Sequence, residues 1–162
     1  MITEPNKTAK HTPPLKSQEA TSLLIADHKL VSGLFADYEK ASTKAMKKKL
    51  VTQICMELSV HAQVEEEIFY PAVKKALNDH ELVPEATVEH ASLKTLIAQV
   101  ENIEPDGEMY DAKIKVLSEY VKHHVKEEQE EMFPKAKATH LNMVELGEKI
   151  TARKQELIAQ RA

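Results

Sequence analysis

A chain that writes one His/Glu spacing twice, inside two long stretches of helical periodicity, has few ways to fold. Residues His61 to Pro71 read HAQVEEEIFYP, and His124 to Pro134 read HVKEEQEEMFP. In both, a His stands ten residues before a Pro and a Glu stands six before it. Positions four apart share a helix face, so His61 with Glu65, and His124 with Glu128, each point an imidazole and a carboxylate the same way. A further His precedes each pair at almost the same interval, 33 residues from His28 to His61 and 34 from His90 to His124. The pattern is a helical hairpin written twice, with a His on the first arm and a His-x3-Glu on the second.

The remaining residues agree with that frame. Charged residues make up 30% and hydrophobic ones 42%, with 3 Gly and no Trp, which is how an all-helical chain reads. The expected fold is all-α, an up-down-up-down antiparallel four-helix bundle with an additional C-terminal helix. Residues 1–16, polar and carrying Pro13-Pro14, form a tail in this reading, and 17–162 form one domain. His11 in that tail is expected to have no role.

Five helices follow from periodicity and punctuation. The first runs from Ser17 or Gln18 to Glu39, capped near Ser17, with Leu24, His28, Val31, Phe35 and Tyr38 facing inward. Gly33 lies off this stripe without an evident reason. The second follows a turn at Ala41-Ser42 and runs to Leu77, with Leu50, Ile54, Leu58, His61, Glu65, Ile68 and Ala72 inward and Glu66 and Glu67 turned away. Pro71 should kink or break it. The third starts near Pro84 or Glu85, after a loop that exposes His80, and presents Ala86, His90, Leu93, Ile97 and Val100. The turn Glu104 to Gly107 leads into a fourth helix, Glu108 to Ala138, with Ile114, Leu117, Val121, His124, Glu128 and Met132 inward and Pro134 repeating the role of Pro71. The fifth, Leu141 to Gln160, is apolar at Leu141, Val144, Ile150, Leu157 and Ile158, and should cap the bundle or contact another subunit.

Other function classes find little support. The net charge of −4 gives no reason to expect nucleic acid, and the basic run of Lys44 with Lys47-Lys48-Lys49 reads as a solvated face. No stretch is long and apolar enough to span a bilayer. Cys55, flanked by Ile54 and Met56, reads as a small buried apolar residue. A lone Cys suits a reducing compartment, so a cytoplasmic protein is expected. Oligomeric state is left open.

Short loops make consecutive helices antiparallel neighbours. Counted from the turns, His28 and His61 fall at nearly one height, as do His90 and His124, at about 1.5 Å per residue. His28, His61, Glu65, His90, His124 and Glu128 should then converge on one layer of the core. Burying two carboxylates without compensation costs several kcal/mol each by rough estimate, and no Lys or Arg lies on the inward stripes at that level. A bound metal would supply the missing positive charge. The set holds no thiolate, and it is too rich in nitrogen for Ca²⁺ or Mg²⁺. Zinc would need only four ligands and no bridge. Two Glu that each bridge, with two His completing each ion, fit two iron ions also joined by an oxo or hydroxo group. A ferritin-like site, with Glu-x-x-His and carboxylates in excess, does not match.

The order His, His-x3-Glu, His, His-x3-Glu, carried by HAQVEEEIFYP, HHVKEEQEEMFP and VELGEKITARKQEL, resembles the hemerythrin-like family, the HHE cation-binding domain, over roughly residues 20–160. The resemblance implies that His28, His61, His90 and His124 are terminal iron ligands and that Glu65 and Glu128 are bridging carboxylates. It pairs His28 with His61 on one iron and His90 with His124 on the other. Oxygen-carrying hemerythrins resemble this pattern but add a fifth His, where this chain has Lys94, and carry an Asp where it has Glu128. Water, an exogenous ligand or a neighbour such as His123, Glu127 or Tyr120 must fill the vacated place. For His123 and Glu127 the bland reading, a solvated neighbour, is favoured, and for Tyr120 it is core packing.

The resemblance implies a non-haem diiron protein that binds or reacts with a small diatomic ligand, O₂ or NO, or with peroxide, in sensing or in oxidative or nitrosative stress. Catalase- or peroxidase-like or NO-reducing catalysis at the same centre is an alternative, as is iron donation for repair of iron–sulfur proteins. A purely structural helical module is the reading without metal.

Overall fold

A computed structural model describes residues 18–161 of the chain. The expected tail, its His11 and the suggested cap Ser17 lie outside the described residues. Four helical arms form the bundle. The first is α1 (Ala20–Lys40) and the second is α2 (Lys44–Val64), which continues through a π-helical turn (Glu65–Phe69) into α3 (Tyr70–Leu77). The third is α4 (Leu82–Val100). The fourth is α5 (Gly107–Glu127), continued by a second π-helical turn (Glu128–Met132) into α6 (Phe133–Lys137). A last helix, α7 (Met143–Gln160), packs against α1, α2 and the first π turn. Sequential arms pair as hairpins, and α2 meets α4 while α1 meets α5, so each arm runs antiparallel to both neighbours.

Helix ends are set by side chains that satisfy free backbone N–H groups. Glu19 caps α1, its carboxylate accepting from the N–H groups of Thr21 and Ser22. Thr43 caps α2 and Asn142 caps α7. Helix α4 begins earlier than Pro84 because Asp79 reaches forward and accepts from the N–H groups of Leu82 and Val83 at 3.1 and 2.8 Å. Pro84 then sits in the first turn, where its missing N–H costs nothing. Asn78 closes α3 in the left-handed conformation, φ 48°.

The prolines do not break their arms. Pro71 and Pro134 each follow a π turn, where one extra residue is accommodated and the helix resumes. A proline removes a hydrogen bond and crowds the carbonyl four residues back, and a π turn is one way a helix absorbs such a disruption.

The core falls into two apolar clusters. One, at the end holding the α1–α2 turn, is built on Val31, Phe35, Val51, Ile54, Leu93, Ile97, Ile114 and Leu117. The other, toward α7, is built on Leu24, Val64, Phe69, Val73, Met132, Phe133 and Ile150. Among the described residues, the buried polar ones are Thr21, Asp27 and the six His and Glu residues of the repeated pattern. Cys55 is fully buried, and burial pushes its thiol up to about 12. Lys47 pairs with Asp111, and Lys48 with Glu104, so the basic run is a solvated face answered by acids of the opposite hairpin.

Two details of the fifth helix differ from expectation. Val144 and Ile158 are exposed, and α7 buries Leu146 and Gly147 beside the expected Ile150 and Leu157. That face crosses the start of α1, and a Cβ on Gly147 would stand 2.3 Å from the Gln18 carbonyl oxygen. Gly33, by contrast, has open space around it, and nothing in the structure explains it. No helix among the described residues is long and apolar enough to cross a membrane. Gly147→Ala should lower stability by about 1–3 kcal/mol through this clash, while Gly33→Ala should raise it by up to about 1 kcal/mol. Urea unfolding of the two variants beside the parent checks both signs.

Candidate metal centre

The six residues of the repeated pattern meet in one layer between the apolar clusters. His61 and Glu65 lie at the lower end of α2 and the start of its π turn, and His124 and Glu128 occupy the same places on α5 and the second π turn. His61 Nε2 is 2.9 Å from Glu65 Oε1, and His124 Nε2 is 2.6 Å from Glu128 Oε1. His90 Nε2 is 3.3 Å from Glu65 Oε1, and His28 Nε2 is 4.0 Å from Glu128 Oε1. The imidazoles sit in two pairs, His28 with His61 at 4.9 Å between ring centres and His90 with His124 at 4.7 Å.

Close approach here is not hydrogen bonding. Both oxygens of Glu65 and both of Glu128 are buried without a well-aligned hydrogen bond, as are both nitrogens of His28 and Nε2 of His61. Buried polar atoms are almost always satisfied, because an orphan costs about 1–3 kcal/mol. Within the layer two groups of donor atoms lie close enough to share an ion, one from Glu65, His90, His124 and Glu128, the other from His28, His61 and Glu128; a third group, Glu89, His123 and Glu127, lies at its outer edge. Nitrogen and oxygen donors converging from two sides on shared carboxylates suit a pair of cations, and the orphaned atoms are those such ions would occupy.

Two of the four imidazoles bond their other nitrogen to a carboxylate outside the layer, and a third faces one without a hydrogen bond. His61 Nδ1 meets Asp27 at 2.9 Å, His124 Nδ1 meets Glu89 at 3.1 Å, and His90 Nδ1 faces Glu66 at 3.6 Å. A carboxylate behind a histidine fixes its tautomer and leaves Nε2 free to ligate, as in many metal sites. Asp27, Glu66 and Glu89 were not read from the sequence as part of the site, and Glu66 was expected to point away. The available signal was position. Asp27 and Glu89 each stand directly before a core His, one residue off the inward stripe. Asp27 is also paired with Lys154, so α7 brings a cation to the edge of a layer whose inward stripes carry none.

Without metal the layer balances its charge with protons. Burial alone would push His61 down, but the Glu65 carboxylate and the bond to Asp27 win, and it is held well above the usual imidazole range. For His124 the same opposition, with Glu128 and Glu65 prevailing over burial, raises it to about 9. Burial also works to raise Glu65, yet the charge on His61 holds it well below the usual carboxylate range. Glu128 then carries the conflict: burial and the neighbouring charge of Glu65 push it up to about 8. His28, buried beside His61, is pushed down to about 4 and stays neutral.

Neither Lys94, which stands where a fifth His would be, nor the suggested substitutes His123, Glu127 and Tyr120 enter the layer. Lys94 turns outward and its ammonium donates to both oxygens of Glu66, at 2.6 and 2.8 Å. His123 has a side chain 66% exposed and pairs with Glu127 on the surface. Tyr120, expected to pack in the core, is 50% exposed. The tyrosine that does enter is Tyr70, whose hydroxyl lies 3.1 Å from His90 Nε2 and 3.2 Å from His124 Nε2. It was missed because, counted as an α-helix, it falls off the inward stripe; only the π turn brings it in.

A cavity of about 30 Å³ adjoins the layer on the side of the first cluster, with Val31, Leu58, Leu93, Ile97 and Val121 among its walls and the four imidazoles at its edge. A surface groove between α1 and α5 leads down to His28 and Val121.

Comparison with known proteins agrees with this geometry. The model of the hemerythrin HHE cation binding domain matches residues 19–136. A crystal structure of a hemerythrin HHE cation binding domain-containing protein from Mycobacterium kansasii superposes with a TM-score of 0.75, covering 88% of this chain and 89% of that one at 22% identity. A protein named DNA nickase from Nostoc sp. (strain PCC 7120 / SAG 25.82 / UTEX 2576) is 27% identical over 107 residues, 66% of this chain but only 30% of its own length. With the family model spanning most of its length, and four arms carrying His, His-x3-Glu, His and His-x3-Glu into one buried layer, the chain belongs to the hemerythrin HHE cation-binding domain family.

Proposed function

We propose that this domain holds two iron ions between its hairpins and uses them to bind or react with a small ligand, O₂, NO or peroxide. His28 and His61 would hold one ion, His90 and His124 the other, and Glu65 and Glu128 would be shared between them. The observation that carries the reading is the pair of carboxylates, both fully enclosed, whose oxygens find no aligned hydrogen bond although four imidazoles surround them. Donor chemistry supports iron: imidazole with carboxylate, and no thiolate.

The cavity supports a very small partner. At about 30 Å³ it has room for about two waters, which suits a diatomic molecule or peroxide and excludes an organic substrate from this pocket. Its aliphatic walls favour an uncharged ligand and keep bulk water from the layer. The bound irons would supply redox change and open coordination positions. The protein's own part is then distinct. Asp27 and Glu89 orient the rings of His61 and His124 and stabilise their ligating tautomers. Val31, Leu93 and Val121 hold the space for the ligand. The groove between α1 and α5 gives a route toward His28.

Anaerobic loading with ferrous iron should give two ions per chain, and Glu65→Gln and Glu128→Gln should each reduce that stoichiometry. A parent protein that takes up no stoichiometric iron would end the reading. Bound metal should raise stability by about 2.7 kcal/mol at an ion concentration a hundredfold above the dissociation constant, seen as a rise in melting temperature that a chelator reverses. Asp27→Ala and Glu89→Ala should weaken metal affinity by roughly 10–100-fold with the fold intact, measured by competition with a chromophoric chelator.

Metal uptake should also release protons. The raised positions of His124 and Glu128, about 9 and about 8, mean that both are protonated near neutrality in the metal-free protein. Those protons must leave before the metal binds, so affinity rises as pH climbs through these values. A pH-stat titration should record fewer protons released per ion near pH ~8.5 than near pH ~6.5.

A further inference from the structure

The doubled His-x3-Glu occurs a third time, one residue out of step. His123 and Glu127 stand four apart on α5, directly before His124 and Glu128. On α4, Glu89 stands in the same way directly before His90. Successive residues of a helix are turned about 100° from each other and rise only about 1.5 Å. A trio that precedes His90, His124 and Glu128 therefore lies at the height of that half of the layer, rotated out toward the surface. The packing of α4 on α5 brings the trio together, and three donor atoms, one from each residue, lie within 4.8 Å of one another.

The spacing suits an ion. His123 Nε2 is 3.1 Å from Glu127 Oε1 and 3.7 Å from Glu89 Oε2. An ion bound at about 2.0–2.2 Å needs its donors about 3–3.5 Å apart, so small side-chain adjustments suffice. The trio is open to solvent, with the side chains of Glu89, Glu127 and His123 exposed at 21, 34 and 66%. Two carboxylates stand side by side, and no Lys or Arg among the described residues pairs with either. Lys122 and Lys126, their neighbours in sequence, line the groove between α1 and α5 instead. Glu85, exposed one turn earlier on α4, adds a negative charge on the approach.

Glu89 gives the trio a fixed member. Its Oε1 accepts from His124 Nδ1 at 3.1 Å, which leaves Oε2 turned toward His123. One carboxylate thus touches a ring of the buried layer and a ring on the surface. We propose that Glu89, His123 and Glu127 form a separate divalent-cation site, the first stop for an ion on its way to the buried layer. One imidazole and two carboxylates, with water completing the shell, suit a first-row ion such as Fe²⁺, Mn²⁺ or Zn²⁺. With three protein donors in contact with solvent, the site holds its ion more weakly than the layer does. The six ligating side chains of the layer belong to residues at most 9% exposed. An ion entering there must exchange water for protein donors, and a half-hydrated site one residue away lets that exchange proceed in stages.

The passage rests on the two-ion reading above, whereas the surface site does not, and the test separates them. The full metal-free chain is dialysed anaerobically against Fe²⁺ to count bound ions. Filling of the layer is timed by mixing with limiting Fe²⁺, quenching with excess chelator at intervals and counting the iron retained. The parent should hold one ion beyond the two of the layer, filled only at higher Fe²⁺. His123→Ala and Glu127→Gln should each lack that ion and keep the other two. Both should fill the layer roughly tenfold more slowly, the low end of what local charge does for association rates. Glu108→Gln, the same loss of charge at the far end of α5, should match the parent in count and rate. Equal counts in the parent and both variants would overturn the site and leave the two-ion centre intact. Loss of the extra ion at the parent's loading rate would overturn the passage. A parent with no buried ions would overturn the two-ion reading and the passage together, and an ion still lost from both variants would then uphold the surface site alone. Both substitutions lie at the surface, so the metal-free variants should melt with the parent.

Discussion

Two carboxylates sit in the middle of an otherwise apolar helix bundle, and the rest of the structure is arranged around making that tolerable. Glu65 and Glu128 are each enclosed by protein, and an uncompensated charge there would cost several kcal/mol by rough estimate. Four imidazoles answer them from all four arms. In the metal-free protein His61 and His124 do so by holding protons, and Glu128 stays neutral near neutral pH. Cations in place of protons would satisfy oxygens that hydrogen bonds leave unmet. The apolar clusters on either side then serve two ends, holding the arms at fixed separation and keeping water out.

The prolines acquire a role that a reading by helix rules would not assign them. Each follows a π turn, and each turn brings one aromatic residue round toward the buried layer, Tyr70 in one hairpin and Phe133 in the other. The repeat is therefore nearly symmetric in its ligating residues and asymmetric in its aromatic ones. A cation held on the Tyr70 side of the layer would therefore meet different surroundings from one held on the Phe133 side.

The layer is also tied to the outside of the molecule. Asp27 links His61 to Lys154 on α7, and Glu89 links His124 to the exposed His123 edge. Helix α7 lies beyond the residues matched by the family model, which end at 136, yet it touches a carboxylate that orients a core histidine. The glycine at 147 lets α7 lie against the start of α1 closely enough for that contact.

Much of this was legible in the residue order. Helical periodicity, the doubled His-x3-Glu and the equal intervals to His28 and His90 suffice for the bundle and for the convergence of six side chains, because both are set by spacing along regular helices. What spacing could not supply was anything that depends on departures from a regular helix or on packing between distant elements. Tyr70 joins the layer only because a π turn adds a residue to the count. Asp27, Glu66 and Glu89 join only because neighbouring arms pack at the right height. Lys94 and His123 are excluded because their side chains find acids on the surface. Periodicity is a local property, so the residue order was enough for the topology and for the six inward polar groups. Which groups surround them depends on how the arms are stacked and where their turns are irregular, and that emerges only once the chain is packed.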